Sequence, residues 1–191
     1  MKVVAFNGSA RKDGNTATMV RWVFDELEKK GIETELFQMK GKKINGCIAC
    51  YKCFENKDQH CAVKKDVVNE CIDKMLGADG VILASPVYFA DVTAQIKALI
   101  DRAGMTAIAN DGMFKRKLGA SVVAARRGGA IHTFHSLNSF FFISQMIVPG
   151  SSYWNMGFGR DPGDVEKDEE AQGTMVTLGQ NMAWLLDKIS T

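Results

Sequence analysis

Three short apolar runs, Val3-Val4-Ala5-Phe6, Gly80-Val81-Ile82-Leu83-Ala84 and Leu118 to Ala125, constrain this chain more than any other feature. A strand that is apolar at every residue belongs in a parallel sheet covered on both faces, because a sheet with one wet face alternates instead. The intervening segments carry the helical period. Met19, Val20, Val23, Phe24 and Leu27 share one face after a start at Asn15 or Thr16, and Gly31 ends that helix. Val67 to Leu76 repeats the pattern, as do Val92, Ile96, Leu99 and Ile100, then Ile131 to Met146, and last Glu169 to Ile189. Ile32 to Met39 alternates like a strand nearer a sheet edge, and Ile147-Val148 reads as a short final strand.

Strands alternating with helices imply an α/β chain built on an open parallel sheet. Five strands over 191 residues suit the flavodoxin-like order 2-1-3-4-5, with helices on both faces and ligands at the carboxyl ends of the strands. The expectation is one domain over residues 1–191. Residues 41–66 show no period and read as a cysteine-rich insertion. Ser85-Pro86 is expected to end its strand, since a residue before proline is pushed to extended geometry. The charged stretch 159–170 reads as a solvated loop.

Charge narrows the function. Lys and Arg number 24 and Asp and Glu 22, leaving +2, too balanced to hold nucleic acid or an anionic membrane. Met1 to Phe6 runs directly into a polar loop without a signal-type apolar region, and no run approaches the roughly 18 residues of a membrane span. A cytoplasmic protein is expected, a setting in which clustered cysteines mean metal or redox chemistry more often than disulfides.

Three loops leave the carboxyl ends of the apolar strands. In Asn7 to Thr16, a helix N-terminus with unpaired N–H groups is joined by Ser9, Asn15, Thr16 and the guanidinium of Arg11, a set suited to an anion. The loop has neither a Gly-Lys-Ser/Thr ending nor a Gly-x-Gly-x-x-Gly fingerprint, so a terminal monophosphate fits better than a triphosphate or dinucleotide. An ordinary capped turn is the other reading. In Ser85 to Asp91, Pro86, Val87, Tyr88 and Phe89 offer a rigid turn with two aromatics, either for a flat heterocycle or for the core. In Ala124 to Gly129, two glycines permit close backbone approach, and an arginine there balances charge on a reduced ring or simply lies on the surface.

Gly8-Ser9-x-Arg11-x-x-Gly14-Asn15-Thr16, Ser85-Pro86-Val87-Tyr88-Phe89 and Gln95-Ile96-Lys97-Ala98-Leu99-Ile100-Asp101-Arg102 together resemble the NADPH-dependent FMN reductase family, most closely its iron–sulfur flavoprotein branch. The resemblance covers nearly the whole chain. It implies a flavodoxin-like FMN protein with Ser9, Arg11, Asn15 and Thr16 on the phosphate. Pro86, Val87, Tyr88 and Phe89 would line the isoalloxazine, and Ala125, Arg126, Gly128 and Gly129 would reach its pyrimidine side. The implied activity is an oxidoreductase moving electrons from NADPH or NADH through flavin N5 to a small acceptor, a quinone, free flavin or metal ion. It also implies a homodimer or homotetramer.

Cys47-x2-Cys50-x2-Cys53-x7-Cys61 is a compact four-thiol array. Its spacing suits one loop wrapped around a cubane, and the resemblance implies a [4Fe–4S] cluster exchanging electrons with ferredoxin and relaying them to FMN. Tetrahedral zinc and cysteines simply packed near the flavin are the alternatives. Lys52, Lys57, Lys64 and Lys65 surround the array, and Lys65-Asp66 stands where the family shows an acidic pair. Cys71, on a helical face, reads as a small buried hydrophobe. His132 and His135 lack a supporting carboxylate, at least one of Phe140, Phe141 and Phe142 is expected at a subunit interface, and Tyr153 and Trp154 suit either a neighbour's flavin site or the core. Asp91 either orients the ring or caps the helix beside it.

Overall fold

A computed structural model describes residues 1–189. The strands are β1 (Lys2–Asn7), β2 (Glu33–Gln38), β3 (Gly80–Pro86), β4 (Leu118–Ala125) and β5 (Met156–Phe158). They form one sheet in the order β2-β1-β3-β4-β5, and every neighbouring pair is parallel. The helices are α1 (Asn15–Glu28), α2 (Lys52–Asn56), α3 (Val68–Leu76), α4 (Ala94–Ala109), α5 (Ala130–Ile143) and α6 (Glu169–Ile189), with a 3-10 turn at Asp164–Lys167. This is the flavodoxin-like architecture.

The unbroken apolar strands have a direct explanation in the two cores. Val4, Phe6, Val81 and Leu83 face α3, α4 and α5, through residues such as Ile72, Ile96, Leu99 and Phe141. Val3, Ala5, Ile82 and Ala84 face the other way, onto Met19, Val23 and Phe24 of α1 and Met175, Leu178 and Met182 of α6. Successive side chains alternate sides, so both parities must be apolar. β2 is the edge strand beyond β1, and only Phe37 within it is fully buried.

Several boundaries differ from the sequence reading. β3 runs on through Ser85 and Pro86, which pair with Val123 and Ala124; the extended geometry forced before proline is itself strand geometry. The fifth strand is Met156–Phe158, paired with Val123 to Ala125. Ile147 makes only an isolated parallel bridge to Leu118, because Pro149 and Gly150 interrupt the chain directly afterwards. α1 starts after an extended Gly14 with no side-chain cap, so Asn15 and Thr16 are its first two residues rather than its cap. The 41–66 segment contains the one-turn helix α2. Among the described residues no helix is long and apolar enough to cross a membrane.

Candidate functional site

The loops after β1, β3, β4 and β5 meet at the carboxyl edge of the sheet. The first is shaped by its own side chains. Ser9 N–H donates to Asn7 Oδ1 at 3.0 Å and Arg11 N–H to Ser9 Oγ at 3.1 Å, while Gly8 N–H is tied to the Ala84 carbonyl at 2.9 Å. These bonds bring Ser9, Arg11, Asn15 and Thr16 to one side of a pocket of about 160 Å³. Pro86, Val87, Tyr88, Ala124 and Arg126 line its other side, and Gly159 and Arg160 complete it. Three arginines and no carboxylate line this pocket, so it is built for an anion. The fit to a phosphate ester is one of donor chemistry: guanidinium, hydroxyl and first-turn N–H groups, with no opposing negative charge.

Eight of the twelve predicted cofactor residues therefore converge. Phe89, Ala125, Gly128 and Gly129 do not line the pocket. Phe89 is wholly exposed and, with Ala90, sits at positive φ in a tight turn closed by Tyr88 N–H to Asp91 O at 2.9 Å. Ala125 is buried, its carbonyl accepting Gly159 N–H at 2.9 Å. Gly129 has φ +86, and a Cβ there would fall 2.9 Å from Val87 Cγ1 and 3.2 Å from Ala90 Cα, so its role is to let the 86–91 turn close in. Asp91 takes Val92 N–H at 2.7 Å and lies 3.7 Å from His132 Nε2, while Thr93 caps α4 by accepting Ile96 N–H.

Residues 159–165 are not merely a solvated loop. Arg11 Nη1 donates to the Arg160 carbonyl at 2.7 Å, and Asn15 Oδ1 accepts Gly163 N–H at 3.0 Å and Val165 N–H at 3.4 Å. Asp164 accepts the backbone N–H groups of Arg160 and Asp161. The segment is thereby folded back over the start of α1, placing Arg160 in the pocket.

The cysteine segment docks on the opposite end of α4. Arg102 is 1% exposed, and its guanidinium donates to Asp66 Oδ2 at 2.5 Å, Val63 O at 2.7 Å, Asn45 O at 3.1 Å and Cys61 Sγ at 3.4 Å. Burial pushes the Asp66 carboxyl up, but Arg102 and the N–H groups of Asn45 and Val68 outweigh it and hold the pKa below the usual carboxylate value. Cys47, Cys50, Cys53 and Cys61 line one narrow recess of about 20 Å³ together with Arg102, Met105 and Thr106. The thiols are thus gathered, yet among the described residues no three potential ligands stand close enough to hold a metal ion. Ala49, Tyr51, Lys57 and Gln59 all take positive φ in this segment.

Cys71 is buried, and desolvation pushes its thiol up to about 12. His132 and His135 join no metal-holding group among the described residues. Phe140 and Phe141 are core, whereas Phe142, Tyr153 and Trp154 are exposed; Tyr153 and Trp154 therefore do not serve as core residues. Trp154 packs on Phe134 with centroids 5.8 Å apart, beside a largely apolar groove that also includes Phe142.

The chain matches the family model of NADPH-dependent FMN reductases over residues 1–161. It is 38% identical over 190 residues to an iron–sulfur flavoprotein of Methanocaldococcus jannaschii, covering 96% of each chain. It is 31% identical over 191 residues to an iron–sulfur flavoprotein of Methanosarcina thermophila, covering 99% of this chain and 97% of that one. In fold it is similar to an NAD(P)H:quinone oxidoreductase from Methanothermobacter marburgensis, with a TM-score of 0.70 at 13% identity over 95% of this chain and 96% of that one. The chain belongs to the NADPH-dependent FMN reductase family, flavodoxin-like flavin-dependent oxidoreductases related to the iron–sulfur flavoproteins.

Proposed function

We propose that this protein binds FMN at the carboxyl edge of its sheet and transfers electrons from NADPH or NADH to a small acceptor, a quinone, free flavin or metal ion. The observation that carries the reading is the convergence of Ser9, Arg11, Asn15 and Thr16 with Pro86, Val87 and Tyr88 on one carboxylate-free pocket. Bound FMN supplies hydride chemistry at N5. The chain's own residues do the rest. Arg11, Ser9, Thr16 and the first-turn N–H groups of α1 hold the phosphate. Tyr88 and the 86–91 turn flank the ring, and Arg126 sets positive charge near it. At about 160 Å³ the pocket is smaller than the roughly 300–1,000 Å³ that encloses a drug-sized ligand. It therefore takes the polar end and leaves the ring open to reductant and acceptor. Exposed Phe142, Tyr153 and Trp154 favour a homodimer or homotetramer.

A second reading is favoured by the four thiols lining one recess and by relatives named iron–sulfur flavoproteins. In it, Cys47, Cys50, Cys53 and Cys61 hold a [4Fe–4S] cluster that exchanges electrons with ferredoxin. The thiols suit such a cluster in kind but must draw together to bind it, so no step is routed through it. An absorption spectrum of anaerobically purified protein, with iron and sulfide assays, separates the readings. Flavin bands without iron leave the first alone, and about four irons per chain, lost in Cys50→Ser, establish the second. A protein that refuses added FMN refutes both.

A further inference from the structure

We propose that Arg160 is a phosphate ligand of this site, a second guanidinium beside Arg11 that reads the 5′-phosphate monoester of the cofactor rather than its ring. The proposal rests on the assignment of FMN to the pocket. Its first support is placement. The Arg160 carbonyl takes a hydrogen bond from Arg11 itself, and Gly163 and Val165, a few residues on, bond to Asn15 at the first turn of α1. Arg160 is therefore laid across the phosphate end of the pocket.

The second support is electrostatic. A phosphate monoester carries close to two negative charges at neutral pH, and Arg11 supplies one positive charge. Arg160 lines the same pocket, and its guanidinium has no hydrogen-bond or ion-pair partner among the described residues. Neither nearby acid takes it. Asp164 is engaged, its Oδ2 accepting the N–H groups of Arg160 and Asp161 and its Oδ1 pairing with Lys167 at 3.2 Å. Asp161, next in sequence, forms no ion pair with Arg160 among the described residues. An exposed, unpaired arginine beside an anion pocket is poised for a charge-assisted, bidentate phosphate contact. Gly159 makes the approach feasible, since a Cβ there would lie 2.6 Å from Asn15 Nδ2.

The test is flavin-fluorescence titration of wild type, Arg160→Ala and Arg160→Lys with FMN and with riboflavin, which lacks the phosphate. Arg160→Ala should weaken FMN about tenfold to a hundredfold and leave riboflavin affinity unchanged, with Arg160→Lys recovering part of the loss. Unchanged FMN affinity, or equal losses for both flavins, overturns the proposal. So does a defect confined to the KM for NADPH relative to NADH, which would assign Arg160 to the 2′-phosphate on the adenosine ribose of NADPH. Wild type that binds no FMN overturns instead the reading of the pocket on which the proposal stands.

Discussion

Arg102→Met should be among the most damaging single substitutions outside the two apolar cores. The side chains of Arg102 and Asp66 are 1% and 0% exposed, and the guanidinium also satisfies the carbonyls of Asn45 and Val63. Methionine fills the same channel but leaves a buried carboxylate without its counter-charge and two carbonyls without their donor. Removing one partner of a buried pair costs about 3–5 kcal/mol. At about 2–4 °C per kcal/mol for a chain of this length, Tm should fall by roughly 6–20 °C. The double variant Asp66→Asn/Arg102→Met should recover a large part of that, because no charge is then stranded. Thermal melts for Tm and urea unfolding for the free energy, each followed by tryptophan fluorescence, read both variants. The acid limb gives an independent check. The Asp66 carboxyl is held below its ordinary pKa in the folded protein, so as pH falls the unfolded chain takes up the proton first. Its contribution is complete above the unfolded value of about 3.9 and is lost as pH drops through the folded value. Asp66→Asn should remove that part of the acid slope. A loss below about 1 kcal/mol in Arg102→Met, the scale of a surface pair, would refute the reasoning.

Gly129→Ala forces a Cβ into a left-handed position facing Val87 and Ala90. It should cost about 1–2 kcal/mol in stability and weaken FMN binding by displacing the 86–91 turn, both read from thermal melts and flavin titration of one preparation. The thiols should separate by burial: Cys47 and Cys50, exposed, react with an alkylating reagent in the folded protein, while Cys71, with its thiol pushed to about 12, reacts only after denaturant is added. Mass spectrometry of timed samples checks this, and early labelling of Cys71 would contradict its burial.

The parts legible in the sequence are those fixed by local pattern. β4 and α6 fall on the residues their periodicity marks, because a run apolar on both parities and a 21-residue amphipathic stretch have few alternatives. β5 was illegible: three residues with Gly157 at the centre carry no period, and that glycine is needed because a Cβ would lie 2.9 Å from side-chain atoms of both Ala171 and Val165. At the site, Ser9, Arg11, Asn15 and Thr16 could be read because one loop supplies them all. Arg160 could not, since the Arg11 bond that places it spans 149 residues. Arg102 was visible within a family motif, but its partners lie 36 to 57 residues away, and nothing local announces a buried ion pair.

Those long-range contacts make α4 the element that relates the two chemically distinctive regions. At its start, a Cβ on Gly8 would meet Thr93 Oγ1 at 2.5 Å and Ile96 Cγ1 at 2.3 Å, so the loop after β1 rests directly on the first turn. Ser85 Oγ accepts Thr93 N–H at 3.0 Å, which ties the end of β3, and hence the 86–91 turn, to the same place. Nine residues on, about 14 Å along the axis at 1.5 Å per residue, Arg102 holds the cysteine segment. Cys53 Sγ then contacts the Met105 carbonyl at 3.9 Å, and Asn110, just past the helix, receives Gln59 N–H at 3.0 Å. The two regions are thus fixed to one rigid rod rather than joined through loops. Their separation is set by helix geometry.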